Sequence, residues 1–96
     1  MPRLIWSPLA VQDVARLHAF LRPKSQAAAS RAVRAIRDSV KILAAQPEIG
    51  RPVDDMEPQF RDWLIEFGDG GYVARYHYDG RDVVVLTVRH TKEAGF

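Results

Sequence analysis

Ninety-six residues with 47% hydrophobic content suffice for one domain, so the chain reads as a single unit over 1–96 whose core leaves a thin stability margin. The absence of cysteine excludes a disulfide framework and a thiolate zinc site, and no run approaches the roughly 18 apolar residues of a membrane span or a signal-peptide core, so a soluble cytoplasmic protein without membrane contact is expected. The net charge of +2 is uneven: residues 1–48 carry eight Lys/Arg against three Asp/Glu and residues 49–96 six against nine, which suits an acidic partner for the first half but is too small in total to point to nucleic acid.

Leu4, Ile5 and Trp6 form a short β-type run that Ser7-Pro8 converts into a helix start, a capping residue followed by proline at the first helical position. Ala10, Val14, Leu17 and Leu21 then follow the spacing of one buried helical face, and Pro23 ends the helix near Arg22. Ser25 can cap a second helix running to about Ala45, because Ala29, Val33, Ile36, Val40 and Leu43 recur at helical spacing and Gln46-Pro47 stops it. Arg31, Arg34, Asp38 and Lys41 make its wet side, and the short link predicts an antiparallel helical hairpin.

Residues 47–58, with Gly50 and the acidic Asp54, Asp55 and Glu57, read as a long surface loop. Three strands follow over about 60–67, 72–78 and 83–89, separated by Gly68-Asp69-Gly70-Gly71 and the Asp79-Gly80 turn. The order βααβββ gives an α+β domain: an N-terminal strand and a helical hairpin packed on an antiparallel meander.

Alternation assigns the faces. A four-residue glycine loop puts Trp63, Ile65 and Phe67 on one face with Tyr72, Ala74 and Tyr76, and a three-residue Tyr78-Asp79-Gly80 loop adds Val84, Leu86 and Val88 to it. A two-residue Asp79-Gly80 hairpin would turn Val84 and Leu86 away instead. The preferred layout leaves Leu64, Glu66, Val73, Arg75, His77, Val83, Val85, Thr87 and Arg89 on the other face, an aliphatic and arginine mixture to be covered by a partner, the chain's own tail or a second copy.

In order and spacing, Ile5-Trp6-Ser7-Pro8, the two helices, Pro47-Glu48-Ile49-Gly50-Arg51 and Val85-Leu86-Thr87-Val88-Arg89-His90 resemble the RelE/ParE toxin superfamily over nearly the whole chain. Phe67-Gly68-Asp69-Gly70-Gly71-Tyr72-Val73 and Arg89-His90-Thr91-Lys92-Glu93-Ala94-Gly95-Phe96 are most similar to its ParE and plasmid-stabilisation members. The resemblance implies a type II toxin that inhibits DNA gyrase without being an enzyme, needs no cofactor or metal, and is neutralised by a cognate ParD-like antitoxin through which alone it reaches DNA. It also implies the antitoxin's place: Val73, Arg75, Val83 and Val85 on the uncovered face, with Arg31 and Arg34 of the basic helices.

The same superfamily includes ribosome-dependent endoribonucleases, which need a base and a cluster of cations around the scissile phosphate, a role for which Arg75, Arg89 and His90 are the candidates here. Against that stand Phe96 where RNA-cleaving relatives place a tyrosine, and an acidic rather than lysine-rich segment before the meander. A third reading is a decayed toxin that only binds its antitoxin. Arg51, Arg61, Arg89, His90 and Lys92 are the candidate target contacts, with Arg61 at one end of the sheet and Arg89 and His90 at the other. Arg51 has an alternative task in tying the loop to a helix C-terminus, His90 in capping a strand or pairing with Glu93, and Arg75 in a buried ion pair.

Overall fold

The structure, a computed structural model, describes residues 2–93. In chain order the elements are β1 (Arg3–Trp6), α1 (Pro8–Leu21), α2 (Gln26–Ala45), β2 (Arg51–Pro52), β3 (Phe60–Phe67), β4 (Gly70–Tyr78) and β5 (Asp82–His90). They form one five-stranded sheet in the order β1-β5-β4-β3-β2, with β1 parallel to β5 and the other neighbours antiparallel. The α+β layout expected from the sequence is present, with β2 as an added two-residue strand too short to leave a pattern.

Local chemistry explains the helix limits. Ser7 is extended and its Oγ accepts from Ala10 N at 3.0 Å, with Pro8 just inside the helix, and Ser25 repeats the cap by accepting from Ala28 N at 3.1 Å. Both helices lie on one face of the sheet, where Leu17, Ile36, Val40 and Leu43 pack on Ile65, Tyr72, Tyr76 and Val88. Trp63 joins α2 to β3, its indole Nε1 donating to the carbonyl and hydroxyl of Ser39, each at 3.1 Å. Among the described residues, no helix is long and apolar enough to cross a membrane.

The glycine connection is tighter than its composition predicts: Phe67 pairs with Gly70, leaving a two-residue turn of Gly68 and Asp69 in which Gly68 takes φ of +60°. The register therefore slips by two residues from the expected one, which keeps every side chain on its predicted face while changing its neighbour.

The β4–β5 pairing overturns part of the expected layout. Tyr78 pairs with Val83 and Tyr76 with Val85, which turns Val83 and Val85 into the core at 0% exposure. The register then shifts, with Arg75 opposite Thr87, so that one extra residue, Leu86, enters β5 and the alternation reverses. Val88 is thereby buried as expected, at 1%, whereas Val84 and Leu86 are not core residues. Both turn parities considered from the sequence thus occur in one strand, joined by a bulge.

Beyond Trp6, α1 takes over from β1 along the edge of β5. Ser7 N donates to Val85 O at 3.0 Å, Ser7 Oγ donates to Leu86 O at 2.9 Å, and Val88 N donates to Asp13 Oδ2 at 2.9 Å. Two side chains of the helix thus satisfy backbone groups that a longer β1 would have paired.

Candidate functional site

Three regions gather the residues that the sequence marks for function. The first is the loop after α2. The phenol of Tyr76, itself fully buried, donates to Pro47 O at 2.8 Å and accepts from Gly50 N at 2.9 Å. Arg61 Nη1 donates to Glu48 O at 2.9 Å and to Gly50 O at 2.8 Å. Burial pushes the Tyr76 hydroxyl above the usual tyrosine range, and the Gly50 N–H works in the opposite direction. The segment just past the α2 C-terminus is therefore held by Arg61 rather than by Arg51, which lies exposed in β2 opposite Asp62.

The second region is the sheet face away from the helices. Arg75 donates from Nε and Nη2 to the two carboxylate oxygens of Asp62, at 2.9 and 3.0 Å, a bidentate pair across neighbouring strands with both side chains under a fifth exposed. The acidic group that Arg75 was expected to meet is thus within the chain. Val73 is buried on this side between Leu64 and Arg89, and Leu64 is 58% exposed. Arg89 Nη1 donates to His90 O at 3.2 Å and Glu93 O at 3.4 Å, tying down the segment after β5. Val83 and Val85, expected here as antitoxin contacts, belong instead to the core beneath the helices because of the bulge at Leu86.

The third region is a half-open cleft of about 680 Å³ between the second half of α1, the β3–β4 turn and the segment after β5. Its aromatic wall is Phe67, Tyr72 and His90, with Tyr72 and His90 edge to face at 5.3 Å between centroids and Phe67 tilted on Tyr72 at 6.0 Å. Phe20 stands at the rim 65% exposed, with Lys24 Nζ 4.5 Å above its ring. Across the mouth, Arg16 Nη1 pairs with Glu93 Oε1 at 2.9 Å, and this hydrogen bond, more than any other influence, holds the Glu93 carboxyl below its usual range. His90 Nδ1 accepts from Lys92 N at 3.0 Å, which leaves Nε2 as the protonated nitrogen of the neutral ring.

His90 and Lys92 therefore come together at the cleft, Arg89 lies on the opposite sheet face, and Arg51 and Arg61 are at the far end of the sheet. The set needed for RNA cleavage divides in the same way, Arg75 and Arg89 on one face and His90 on the other. Arg31 and Arg34 are exposed on α2, and Phe96, whose place in the sequence was set against the nuclease reading, lies outside the described residues. Among the described residues no three of His, Asp and Glu gather as a metal ion would require.

Phe20, Arg16 and Asp13 are absent from the sequence reading of the sites. Phe20 carried a usable signal, a bulky aromatic three residues beyond Leu17 and off the stripe of Ala10, Val14 and Leu21. Arg16 and Asp13 carried none, since their partners Glu93 and Val88 lie more than seventy residues away.

Comparison with known proteins places this geometry. Residues 4–95 match the profile of a family described as the ParE toxin of type II toxin-antitoxin system, parDE. A relative named Toxin RelE3, from Caulobacter vibrioides, is 30% identical over 86 residues, spanning 90% of each chain. A solved structure, the chromosomal ParDE TA system from P. aeruginosa, superposes with a TM-score of 0.79 at 23% identity, covering 96% of this chain and 98% of the other.

Proposed function

The chain belongs to the ParE toxin family of type II toxin-antitoxin systems, and from that membership we propose that it acts by inhibiting DNA gyrase and is held inactive by a cognate ParD-like antitoxin. The observation that carries the choice of target is the separation of Arg75 and Arg89 from His90 by the thickness of the sheet. Cleavage of RNA needs a base and several cations around one phosphate at about hydrogen-bond distance. An inhibitor that works by occupying a surface needs no such convergence.

The aromatic cleft is the surface to which we assign partner contact, with His90 and Lys92 among its polar members beside Arg16, Lys24, Asp69 and Glu93. A partly exposed Phe20 beside an apolar wall is costly to leave in water, and an antitoxin segment that buried it would gain about 1.5–3 kcal/mol from that ring alone. Val73 and Arg75, though placed as expected on the open face, are already engaged by Leu64, Arg89 and Asp62, so their contribution to antitoxin binding is secondary in this reading.

The test is expression of the chain without an antitoxin, scoring the DNA-damage response against translation arrest, followed by assays of purified protein for supercoiling and gyrase cleavage complexes. The proposal expects DNA damage and altered cleavage-complex levels. Translation arrest with cleavage of messenger RNA in the ribosomal A site would replace it with the endoribonuclease reading, and normal growth with a folded product would mark a toxin that has lost its activity.

A further inference from the structure

A second groove, of about 330 Å³, runs between the two helices of the hairpin on the side away from the sheet. It differs in kind from the aromatic cleft: six of its seven lining residues, His18, Ser30, Arg34, Arg37, Asp38 and Lys41, are polar, and Val33 is the apolar exception. Arg31 continues the cationic line towards the start of α2, and Arg31, Arg34, Arg37 and Lys41 are all exposed. Lys41 has a carboxylate at 3.5 Å, on Asp38, whereas none of the three arginines is paired with another described residue.

We infer that this groove is a binding site for the phosphate backbone of duplex DNA. Four cations on one helix face, from Arg31 to Lys41, are spread over ten residue steps, about 15 Å at 1.5 Å per residue. One strand of B-DNA presents about four phosphates over that length, at roughly 3.4 Å of axis each. The chain's pI of about 9.3 with Lys/Arg gathered along a helix is the electrostatic footprint of such binding, and the small net charge conceals it because nine of the twelve acidic residues lie in the second half of the sequence, with Asp38 the one acid that lines the groove. An acidic amphipathic peptide fits worse: it binds by burying apolar anchors, and the groove offers Val33 alone. The assignment departs from the expectation that DNA is reached through the antitoxin, and it moves Arg31 and Arg34 from antitoxin binding to nucleic acid. It goes beyond the choice of target, and its test needs neither gyrase nor the ribosome.

The experiment is fluorescence anisotropy of a labelled duplex titrated with purified toxin between about 50 and 200 mM salt. Four phosphate contacts give a log–log slope of about −3 to −4, an affinity loss on the order of 10²-fold across that range. Arg34→Gln with Arg37→Gln, which keeps helix propensity nearly unchanged, should lower the slope by about 2, while Arg81→Gln in the exposed turn before β5 should leave it unaltered. Circular dichroism confirms that each variant is folded. Absence of saturable binding at low salt, equal slopes for the double variant and its parent, or polyglutamate binding as tightly per charge as the duplex would each overturn the inference.

Discussion

Gly50 has no room for a side chain, and the reason is its neighbour rather than its backbone. Its φ lies outside the left-handed region, whereas a Cβ built on it would stand 2.5 Å from Tyr76 Oη, 2.6 Å from Cε1 and 2.9 Å from Cζ. The ring cannot yield easily, since Tyr76 is at 0% exposure and its hydroxyl holds both Pro47 O and Gly50 N. Gly50→Ala therefore costs about 1–3 kcal/mol of overpacking. Loss of one of the two hydrogen bonds adds about 1 kcal/mol, for a total of roughly 2–4 kcal/mol and a melting temperature lower by about 10–25 °C. Tyr76→Phe, which leaves Gly50 N and Pro47 O without a partner, costs about 1–3 kcal/mol by itself. In that background the alanine meets a ring no longer tethered at its tip, so the two changes should couple by about 1 kcal/mol. Urea denaturation of parent, single and double variants measures the cycle. Additivity within about 0.3 kcal/mol, or an alanine variant as stable as the parent, would refute the steric account.

Asp62→Ala should destabilise by about 1–3 kcal/mol in denaturant melts, because it removes the two carboxylate acceptors of the bidentate pair from a mostly buried Arg75; replacing both residues by Leu and Met should recover most of the loss. Ser7→Ala and Asp13→Ala should each cost about 1–2 kcal/mol, and hydrogen exchange should speed at Val88 N in the Asp13 variant but not at core amides elsewhere. Glu93 is depressed below its ordinary value of 4.5 by Arg16, so the stability from this contact is complete above that value and is lost as the pH falls through the lower folded one. An NMR titration of the Glu93 carboxyl should show its midpoint rising towards 4.5 in Arg16→Gln; an unmoved midpoint would mean that the pair does not hold the cleft mouth.

The helices were legible because their signals are local: Ser7-Pro8 and Ser25 announce the starts, and the apolar spacing from Ala10 to Leu43 reports which side is buried. The inner face of β3 and β4 was legible too, since Trp63, Ile65 and Tyr76 alternate with Asp62, Glu66, Arg75 and His77, although the buried Val73 beside Tyr72 breaks the pattern. Val83 to Leu86 is an unbroken aliphatic run in which either parity looks alike, and the bulge at Leu86 is marked by neither glycine nor proline. The cost fell on the candidate site, where two core valines were read as partner contacts. A two-residue slip in the glycine turn did subtler damage. It preserved the faces but set Asp62 opposite His77 instead of Arg75, hiding the carboxylate that occupies this arginine.

β5 is the last strand of the described chain, and its neighbours in the sheet are the first strand and the fourth. The contacts that seal it, Arg3 to Asp82 and Ser7 to Leu86, each join residues 79 positions apart. Synthesis and assembly consequently run in opposite senses: the helical hairpin and the β3–β4 ribbon can form from local contacts, while β1 must wait for a strand made long after it. Loop closure of that length precedes any reward from pairing, so the pairing of β1 with β5, and not the local β4–β5 hairpin, is the step expected to be slow in folding. A chain cut short before Asp82 loses β1 from the sheet along with β5, and with them Val83, Val85 and Val88 from the core. Premature termination at that point yields an unassembled polypeptide in place of a weaker toxin.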